Sequence, residues 1–204
     1  MITGKEALLP LVFGLGNPGK RYGHTRHNVG FDTIQKIAAS FGFSLKRRCF
    51  RLYKRASVEL AGHASTLFVQ PLTFMNRSGA IMKYFIPKQF SVDELIVICD
   101  TLDLPVGTIR IKKGGSTAGH KGLRSIAQHL ESTDFIRIYI GIGRPASGQQ
   151  VVQYVLEAPT EAQERMMLDE SIARAAQATV SLCIGADLQE VMREHNKRVS
   201  RSDS

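Results

Sequence analysis

The sequence predicts an α/β fold, specifically a single three-layer domain in which a mixed, largely parallel sheet lies between helices. Two short apolar runs, residues 11–13 and 95–99, are typical of buried central strands. Segments with strand patterning are interleaved with segments whose apolar residues recur at helical spacing, as in α/β proteins. At 204 residues with 43% hydrophobic content, the chain is large enough for one domain with a sizeable core.

The N-terminal half alternates between the two periodicities. The first apolar strand runs into a glycine-rich turn, and a helix follows over residues 29–41, where Phe31, Ile34 and Ile37 recur at helical spacing. Residues 50–59 and 65–70 alternate as in a β-hairpin. A loop beginning at Pro71 then enters a helix that is expected to end near Phe85.

The C-terminal half continues the alternation. In order, the pattern predicts strands over 95–99 and 108–112, a mobile glycine-rich loop over 114–119, a helix from Leu123, a strand over 135–142, and helices over 160–183 and 188–195. No internal repeat or linker divides the chain. We therefore expect one domain over residues 1–204, with an N-terminal extension of about ten residues and a flexible basic tail over 197–204.

The charge balance favours a polyanionic partner, with nucleic acid first, although a generally basic protein would look similar. The formal net charge is +9 and the pI about 9.7. The basic residues cluster in two stretches, which are Lys46, Arg47, Arg48, Arg51, Lys54 and Arg55, and then Arg110, Lys112, Lys113, Lys121 and Arg124.

The cysteine pattern and the absence of targeting signals predict a cytoplasmic protein. Cys49, Cys99 and Cys183 form no C-x-x-C pair, which argues against zinc or a disulfide framework, and we expect them to be buried apolar residues. No apolar run approaches the roughly 18 residues of a membrane span. The first ten residues also lack the features of a signal peptide.

The glycine-rich turn resembles a dinucleotide-binding motif but departs from it. Gly14, Gly16 and Gly19 match G-x-G-x-x-G, yet Pro18 lies inside the turn and helical spacing begins only near Val29. No strand ending in an acidic residue follows at the distance that a ribose requires. An NAD-linked enzyme is therefore a remote alternative.

Four polar residues are expected to meet at one edge of the sheet. Asn17 and Asp100 each follow an apolar strand, His27 ends the first loop, and Asn76 lies where a loop enters a helix. Ligands of open α/β sheets bind beyond the carboxyl ends of the strands. The alternative is that His27 is a surface residue leading a helix and Asp100 a turn residue.

A histidine beside a carboxylate can act as a general base. The carboxylate of Asp100 would fix the tautomer of His27 and leave the other ring nitrogen basic. No G-x-S-x-G nucleophile segment is present, so water is the expected nucleophile. Asn17 and Asn76 would orient the water and the substrate carbonyl and stabilise the developing oxyanion.

Six segments together resemble the bacterial peptidyl-tRNA hydrolase family. They are residues 14–19 (GLGNPG), 25–30 (TRHNVG), 73–79 (TFMNRSG), 100–107 (DTLDLPVG), 119–124 (GHKGLR) and 141–145 (GIGRP). They occur in the family's order, with similar spacing, across nearly the whole chain. Each segment alone is weakly specific, and the combination is very specific.

The resemblance implies hydrolysis of the ester between a peptide and the 3′-terminal ribose of tRNA, which recycles tRNA from stalled translation. It implies a catalytic His27 oriented by Asp100, with Asn17, Tyr22, Phe74, Met75, Asn76, His120 and Lys121 as substrate-binding residues. Phe74 and Met75 would otherwise be core residues. The partner is peptidyl-tRNA; no metal, organic cofactor or obligate protein partner is implied.

Two positions depart from the family pattern. Lys121 stands where the family usually has asparagine, and we expect its ammonium to point outward to tRNA, because burying it unpaired would be costly. Lys112 matches one member of a basic pair that clamps the tRNA 5′-phosphate, but Tyr139 occupies the position of the other. Arg137, on the same face of the strand, is the expected partial substitute.

The remaining expected tRNA contacts are Lys113 and Arg124. A non-catalytic RNA-binding protein on the same fold, like a plastid splicing factor that resembles this family, is the main alternative function. Lys121 gives that alternative slight support, whereas the intact set of Asn17, His27, Asn76 and Asp100 argues against it.

Overall fold

The computed structural model describes residues 10–63, 65–86 and 90–196. It contains one seven-stranded sheet with strand order β2-β3-β4-β1-β5-β7-β6. The strands are β1 Leu11–Gly14, β2 Lys46–Arg47, β3 Tyr53–Glu59, β4 Ser65–Pro71, β5 Leu95–Thr101, β6 Ile109–Lys113 and β7 Ile136–Gly141. The N-terminal extension, apart from Pro10, and the basic tail predicted above lie outside the described residues.

The centre of the sheet is parallel and its two edges are antiparallel. Strand β1 pairs in parallel with both β4 and β5, and β5 pairs in parallel with β7. Strands β3 and β6 run antiparallel to β4 and β7, and β2 runs antiparallel to β3. The predicted mixed sheet is confirmed. The carboxyl ends of β4, β1, β5 and β7 therefore lie along one rim.

Helices cover both faces of the sheet, as expected for three layers. Helices α1 Val29–Ser40, α4 Ala162–Cys183 and α5 Leu188–His195 pack on one face, over a core that includes Val12, Ile98 and Ile140. Helix α2 Lys121–Leu130 and a 3₁₀ helix Met75–Tyr84 pack on the other. The short helix α3 Val151–Val155 follows β7.

Close backbone contacts explain the glycines of the first turn. A Cβ on Gly14 would lie 2.3 Å from the carbonyl oxygen of Gly30, and one on Gly30 would lie 2.4 Å from the carbonyl oxygen of Ile98. A Cβ on Gly16 would lie 2.7 Å from the ring of Phe31. These glycines let the start of α1 pack directly against β1 and β5, which brings the loop preceding α1 to the end of β5.

Several local predictions need correction. The helix after Pro71 is a 3₁₀ helix, and Asp100 lies inside β5 rather than after it. Neither β2 nor α3 was predicted. Cys99 and Cys183 are buried, but Cys49 is exposed because it lies in the loop between β2 and β3. Among the described residues, no helix combines the length and apolar character needed to cross a membrane.

Candidate active site

A cavity of about 610 Å³ opens at the carboxyl ends of the central strands. Its floor lies where β1 and β5 end, and its walls come from the loops after β1, β4 and β6 and from α3. All nine residues predicted to be catalytic or to bind substrate line it: Asn17, Tyr22, His27, Phe74, Met75, Asn76, Asp100, His120 and Lys121.

Two histidines share one oxygen of Asp100 at the cavity floor. The Nδ1 atom of His27 lies 2.7 Å from Oδ1 of Asp100, and Nε2 of His120 lies 3.0 Å from the same oxygen. The side chains of His27, Asp100 and His120 are 12%, 3% and 10% exposed. An ionised carboxylate only accepts hydrogen bonds, so each histidine donates through the nitrogen that faces it.

The second nitrogen of each ring then has a defined state. His120 is the N-cap of α2, and its Nδ1 accepts a hydrogen bond from the backbone N–H of Leu123 at 3.2 Å. The hydrogen-bond pattern assigns His120 as the Nε2–H tautomer. In His27, the neutral ring with its hydrogen on Nδ1 leaves Nε2 unprotonated and able to accept a proton.

The two histidines determine the ionisation of Asp100. Burial by itself raises the pKa of this carboxyl, but the electrostatic attraction and hydrogen bonds of His27 and His120 outweigh burial and hold the pKa well below its usual range. Asp100 is therefore a stable anion that can stabilise a positive charge developing on His27. In the adjacent position, burial raises the pKa of the Cys99 thiol, so Cys99 is not a thiolate nucleophile.

Hydrogen bonds hold Asn17 rigidly at the end of β1. Its Oδ1 accepts from the backbone N–H of Met75 at 2.9 Å. Its backbone N–H donates to Oδ1 of Asn28 at 2.8 Å, and its carbonyl accepts from Nδ2 of Asn28 at 3.0 Å. Because the oxygen of the Asn17 amide is engaged, Nδ2 is the group that this side chain presents to the cavity.

Aromatic and apolar groups form the outer wall. The rings of Tyr22 and Phe74 meet edge to face at 6.4 Å, and Phe74 is 52% exposed, which excludes the core alternative for this residue. Met75 is buried in the core between the sheet and α2, with Leu123 and Ile126, while also lining the cavity. Asn76 is exposed at the mouth.

The predicted basic contacts differ in their surroundings. Lys121 and Arg124 are exposed at the start of α2 and form no ion pair within the described part of the chain. Lys113 is exposed and its Nζ lies 2.7 Å from Asp93, and Lys112 is half-buried beside Gly115. The exposure of Lys121 agrees with an ammonium that is not buried.

The prediction that Arg137 partly substitutes for the missing member of the phosphate clamp is wrong. Arg137 is fully buried, and its guanidinium donates to the carbonyls of Ser116, Gly115 and Thr133 and to the hydroxyl of Tyr139. The loop that precedes α2 covers this face of β7. Arg137 therefore anchors that loop instead of binding tRNA phosphate.

Two further residues that support the site were not predicted. Asn28 fixes Asn17, as described above. Arg26 is buried beside His27 and forms a bidentate pair with Glu164, with contacts of 2.8 and 2.9 Å, while also donating to the carbonyls of Tyr154 and Glu157. The sequence signal that could have identified Arg26 and Asn28 was their position directly before and after His27.

The histidine–aspartate cluster also has the composition of a metal site. The ligand atoms of His27, Asp100 and His120 lie within 4.8 Å of one another. Metal binding there would require Asp100 to exchange both histidine hydrogen bonds for coordination. The cluster can therefore either hold the hydrogen-bonded His27 as a base or coordinate a metal, but not both at once. Adding a chelator to the protein distinguishes the two.

The fold and this site define an α/β protein with a polar cavity at the carboxyl edge of its sheet. A family model described as peptidyl-tRNA hydrolase matches residues 11–203. The peptidyl-tRNA hydrolase of Shouchella clausii is 42% identical over 190 residues, covering 92% of this chain and all of that protein. That of Bacillus subtilis is 41% identical over 192 residues, covering 93% and 99%.

The solved structures agree. The crystal structure of peptidyl-tRNA hydrolase from Acinetobacter baumannii superposes with a TM-score of 0.84 at 33% identity, covering 92% of this chain and 94% of that one. The chain belongs to the peptidyl-tRNA hydrolase family, which is a family of enzymes.

Proposed function

We propose that the protein hydrolyses the ester between a peptide, or an N-blocked amino acid, and the 3′-terminal ribose of tRNA, with His27 as general base. The observation that carries this proposal is the hydrogen bond of 2.7 Å between His27 and Asp100 at the floor of the cavity. It leaves Nε2 of His27 free of a proton. Membership of the family supplies the substrate class.

The reaction needs one activated water and one stabilised oxyanion. Nε2 of His27 removes a proton from water as the water oxygen attacks the ester carbonyl. The imidazolium that forms is stabilised by Asp100, whose carboxylate stays ionised. Nδ2 of Asn17 donates to the oxyanion, and Asn76 at the mouth holds the peptide end.

Collapse of the tetrahedral intermediate completes the reaction. The carbon–oxygen bond to the ribose breaks, and the departing 3′-oxygen takes the proton from the His27 imidazolium. The products are a peptide carboxylic acid and tRNA with a free hydroxyl. The Tyr22–Phe74 wall is suited to stack against the terminal adenosine or to contact the peptide.

The tRNA body would contact cations at the start of α2 and at the end of β6. Lys121 and Arg124 lie at the start of α2, where they are open to solvent. Lys112 and Lys113 at the end of β6 are the other proposed contacts, with Lys113 exchanging Asp93 for phosphate. These contacts would supply affinity that weakens with salt.

The test is release of an N-acetylated amino acid from tRNA by purified protein, with and without a chelator. We expect hydrolysis that the chelator leaves unchanged. His27→Ala should lower kcat by roughly 10² to 10⁴, the usual range for loss of a general base, with tRNA affinity retained.

Near-normal turnover by His27→Ala would contradict the assignment of the base. Complete inhibition by the chelator, with recovery on adding a metal, would instead make the histidine–aspartate cluster a metal site. RNA binding without any turnover by the intact protein would favour the non-catalytic alternative.

A further inference from the structure

One half of the sheet is almost free of acidic groups. Residues 33–92 contain a single carboxylate, Glu59, although they contribute β2, β3 and β4. Six basic residues fall within ten positions at the edge of this half, and they are Lys46, Arg47, Arg48, Arg51, Lys54 and Arg55. None of the six forms an ion pair with any described residue.

The residues that we call the basic strip are exposed together. They are Lys46, Arg47, Arg48, Phe50 and Arg51, all of them open to solvent. The first two form β2, the outermost strand of the sheet, and pair with Arg55 and Lys54 of β3. Positive charges this close together repel one another, and a bound anion would offset that repulsion.

Aromatic groups are interleaved with these charges. Phe50 is 97% exposed and adopts a positive φ of 59°, a conformation that costs energy for a bulky side chain. The guanidinium of Arg51 lies 4.6 Å from the ring centre of Tyr84, which is itself 37% exposed. Planar groups among cations are the composition that binds RNA, where rings and guanidinium planes stack on bases.

The strip lies on the same rim as the catalytic cavity. Tyr53, where β3 begins, pairs with Pro71 at the carboxyl end of β4, and the carbonyl of Leu52 accepts from the backbone N–H of Leu72 at 2.7 Å. The next loop along the chain carries Phe74 in the cavity wall. Strand spacing separates β2 from β5 by roughly 15–20 Å.

We propose that the basic strip binds the phosphate backbone of the tRNA whose 3′ end occupies the cavity, with Phe50 stacking on an exposed base. It is a second contact surface, at the opposite edge of the sheet from Lys112 and Lys113. The inference rests on the proposed function for the identity of the RNA. Its physical basis is the uncompensated charge of the strip and its position on the cavity rim.

The experiment compares two triple variants that remove equal charge. Lys46→Gln/Arg47→Gln/Arg48→Gln removes three of the four charges of the strip, and Lys36→Gln/Arg165→Gln/Arg193→Gln removes three exposed charges from α1, α4 and α5. Binding of deacylated tRNA is measured from low to high salt. The strip variant should bind at least ten-fold more weakly at low salt and lose roughly 2 to 3 from the log–log salt slope, whereas the matched variant should change by less than two-fold.

A second pair of variants tests the proposed stacking of Phe50 on a base. Phe50→Ala should weaken tRNA binding about five-fold or more, the lower end of what losing one stacked base costs. Met166→Ala removes another exposed apolar side chain, on α4, and should have no effect.

A substrate that lacks the tRNA body tests the basic strip independently of the hydrolase assignment. On an N-acetylaminoacyl ester of the 3′ CCA trinucleotide, the strip variant should retain the kcat and KM of the unaltered protein, while its KM for full-length substrate rises. Equal tRNA binding by the two triple variants would overturn the proposal. A strip variant that binds tRNA normally but no longer binds the anionic lipid vesicles that the unaltered protein binds would also overturn it. If the unaltered protein cleaves neither substrate, the hydrolase proposal fails while the tRNA binding data still decide the role of the strip.

Discussion

Two carboxylates of this protein, the buried Asp100 and the half-buried Asp32, lie near histidine, yet their pKa values shift in opposite directions. Asp100 has two nearly buried histidine donors at 2.7 and 3.0 Å. The one histidine near Asp32, His24, is 3.7 Å away and 90% exposed. Burial raises the pKa of Asp32 from 3.8 to about 6, with His24 lowering it and Asp169 raising it further.

The difference shows that burial alone does not make an active carboxylate. Burial is the strongest influence on both groups, and it favours the neutral acid. At Asp100, convergence of the first loop and the loop before α2 supplies donors that reverse this influence. At Asp32, in the first turn of α1, the neighbouring histidine remains in solvent.

The largest effect is expected for Asp100→Asn. The amide removes the anion that stabilises the His27 imidazolium and can force the wrong tautomer, so kcat should fall by roughly 10² to 10⁴. Single-turnover hydrolysis at saturating enzyme measures this loss. Asp32→Asn is the matched control and should hydrolyse substrate at the unaltered rate. Equal losses in the two variants would mean that Asp100 acts through the fold.

Asp32→Asn should instead change stability, and in a pH-dependent way. A carboxyl with a raised folded pKa stabilises the fold below the unfolded value of 3.8, and this contribution is lost as pH rises through about 6. Asparagine resembles the neutral acid. The variant should therefore be more stable than the unaltered protein by about 1–3 kcal/mol at pH 8, and little different at pH 3.5.

Denaturant unfolding across this pH range tests that expectation. Asp169→Asn is a second useful variant, because removing the like charge should lower the pKa of Asp32 and recover part of the same stability. A stability gain for Asp32→Asn that is independent of pH would show that packing, not ionisation, is responsible. Asp100 has the opposite linkage, since its lowered pKa adds stability that is lost in acid.

The surroundings of Asp100 also show which parts of the site could be predicted from the sequence and which could not. Apolar strands and strand direction were enough to place Asn17, His27, Asn76 and Asp100 at one rim, because side-chain position at a strand end follows from chain order. The link between His120 and Asp100 required the path of the loop before α2, which has no periodic pattern from which it could be read.

Arg137 is the clearest case in which the strand pattern predicted the face of a side chain but not its burial. Strand alternation correctly identifies which face of β7 carries this residue, but it does not reveal whether that face is open. Three loop carbonyls cover the guanidinium, so a residue expected at the surface is in the core. The short elements β2 and α3 escaped prediction because two and five residues are too few to establish a period.

The smallest expected effect belongs to Lys121, which extends the comparison to a charge left in water. Its exposure means that no desolvation opposes ionisation and that the ammonium is available to phosphate. Lys121→Asn, which restores the family's usual residue, should leave kcat unchanged and raise KM for tRNA two- to five-fold. The salt slope of binding should decrease by roughly 0.7 to 0.9, as expected for one lost phosphate contact.

The pH–rate profile decides whether that exposed position persists with substrate bound. If Lys121 stays outward, the profiles of the unaltered protein and Lys121→Asn should superimpose, because a charge screened by water has little influence on His27. If the lysine turns toward the site when tRNA binds, its removal takes a like charge away from the developing imidazolium, and the acid limb should move to higher pH. Loss of hydrolysis in a folded Lys121→Asn protein would contradict both expectations. It would place the ammonium among the catalytic groups, because neither a lost phosphate contact nor a modest electrostatic change abolishes turnover.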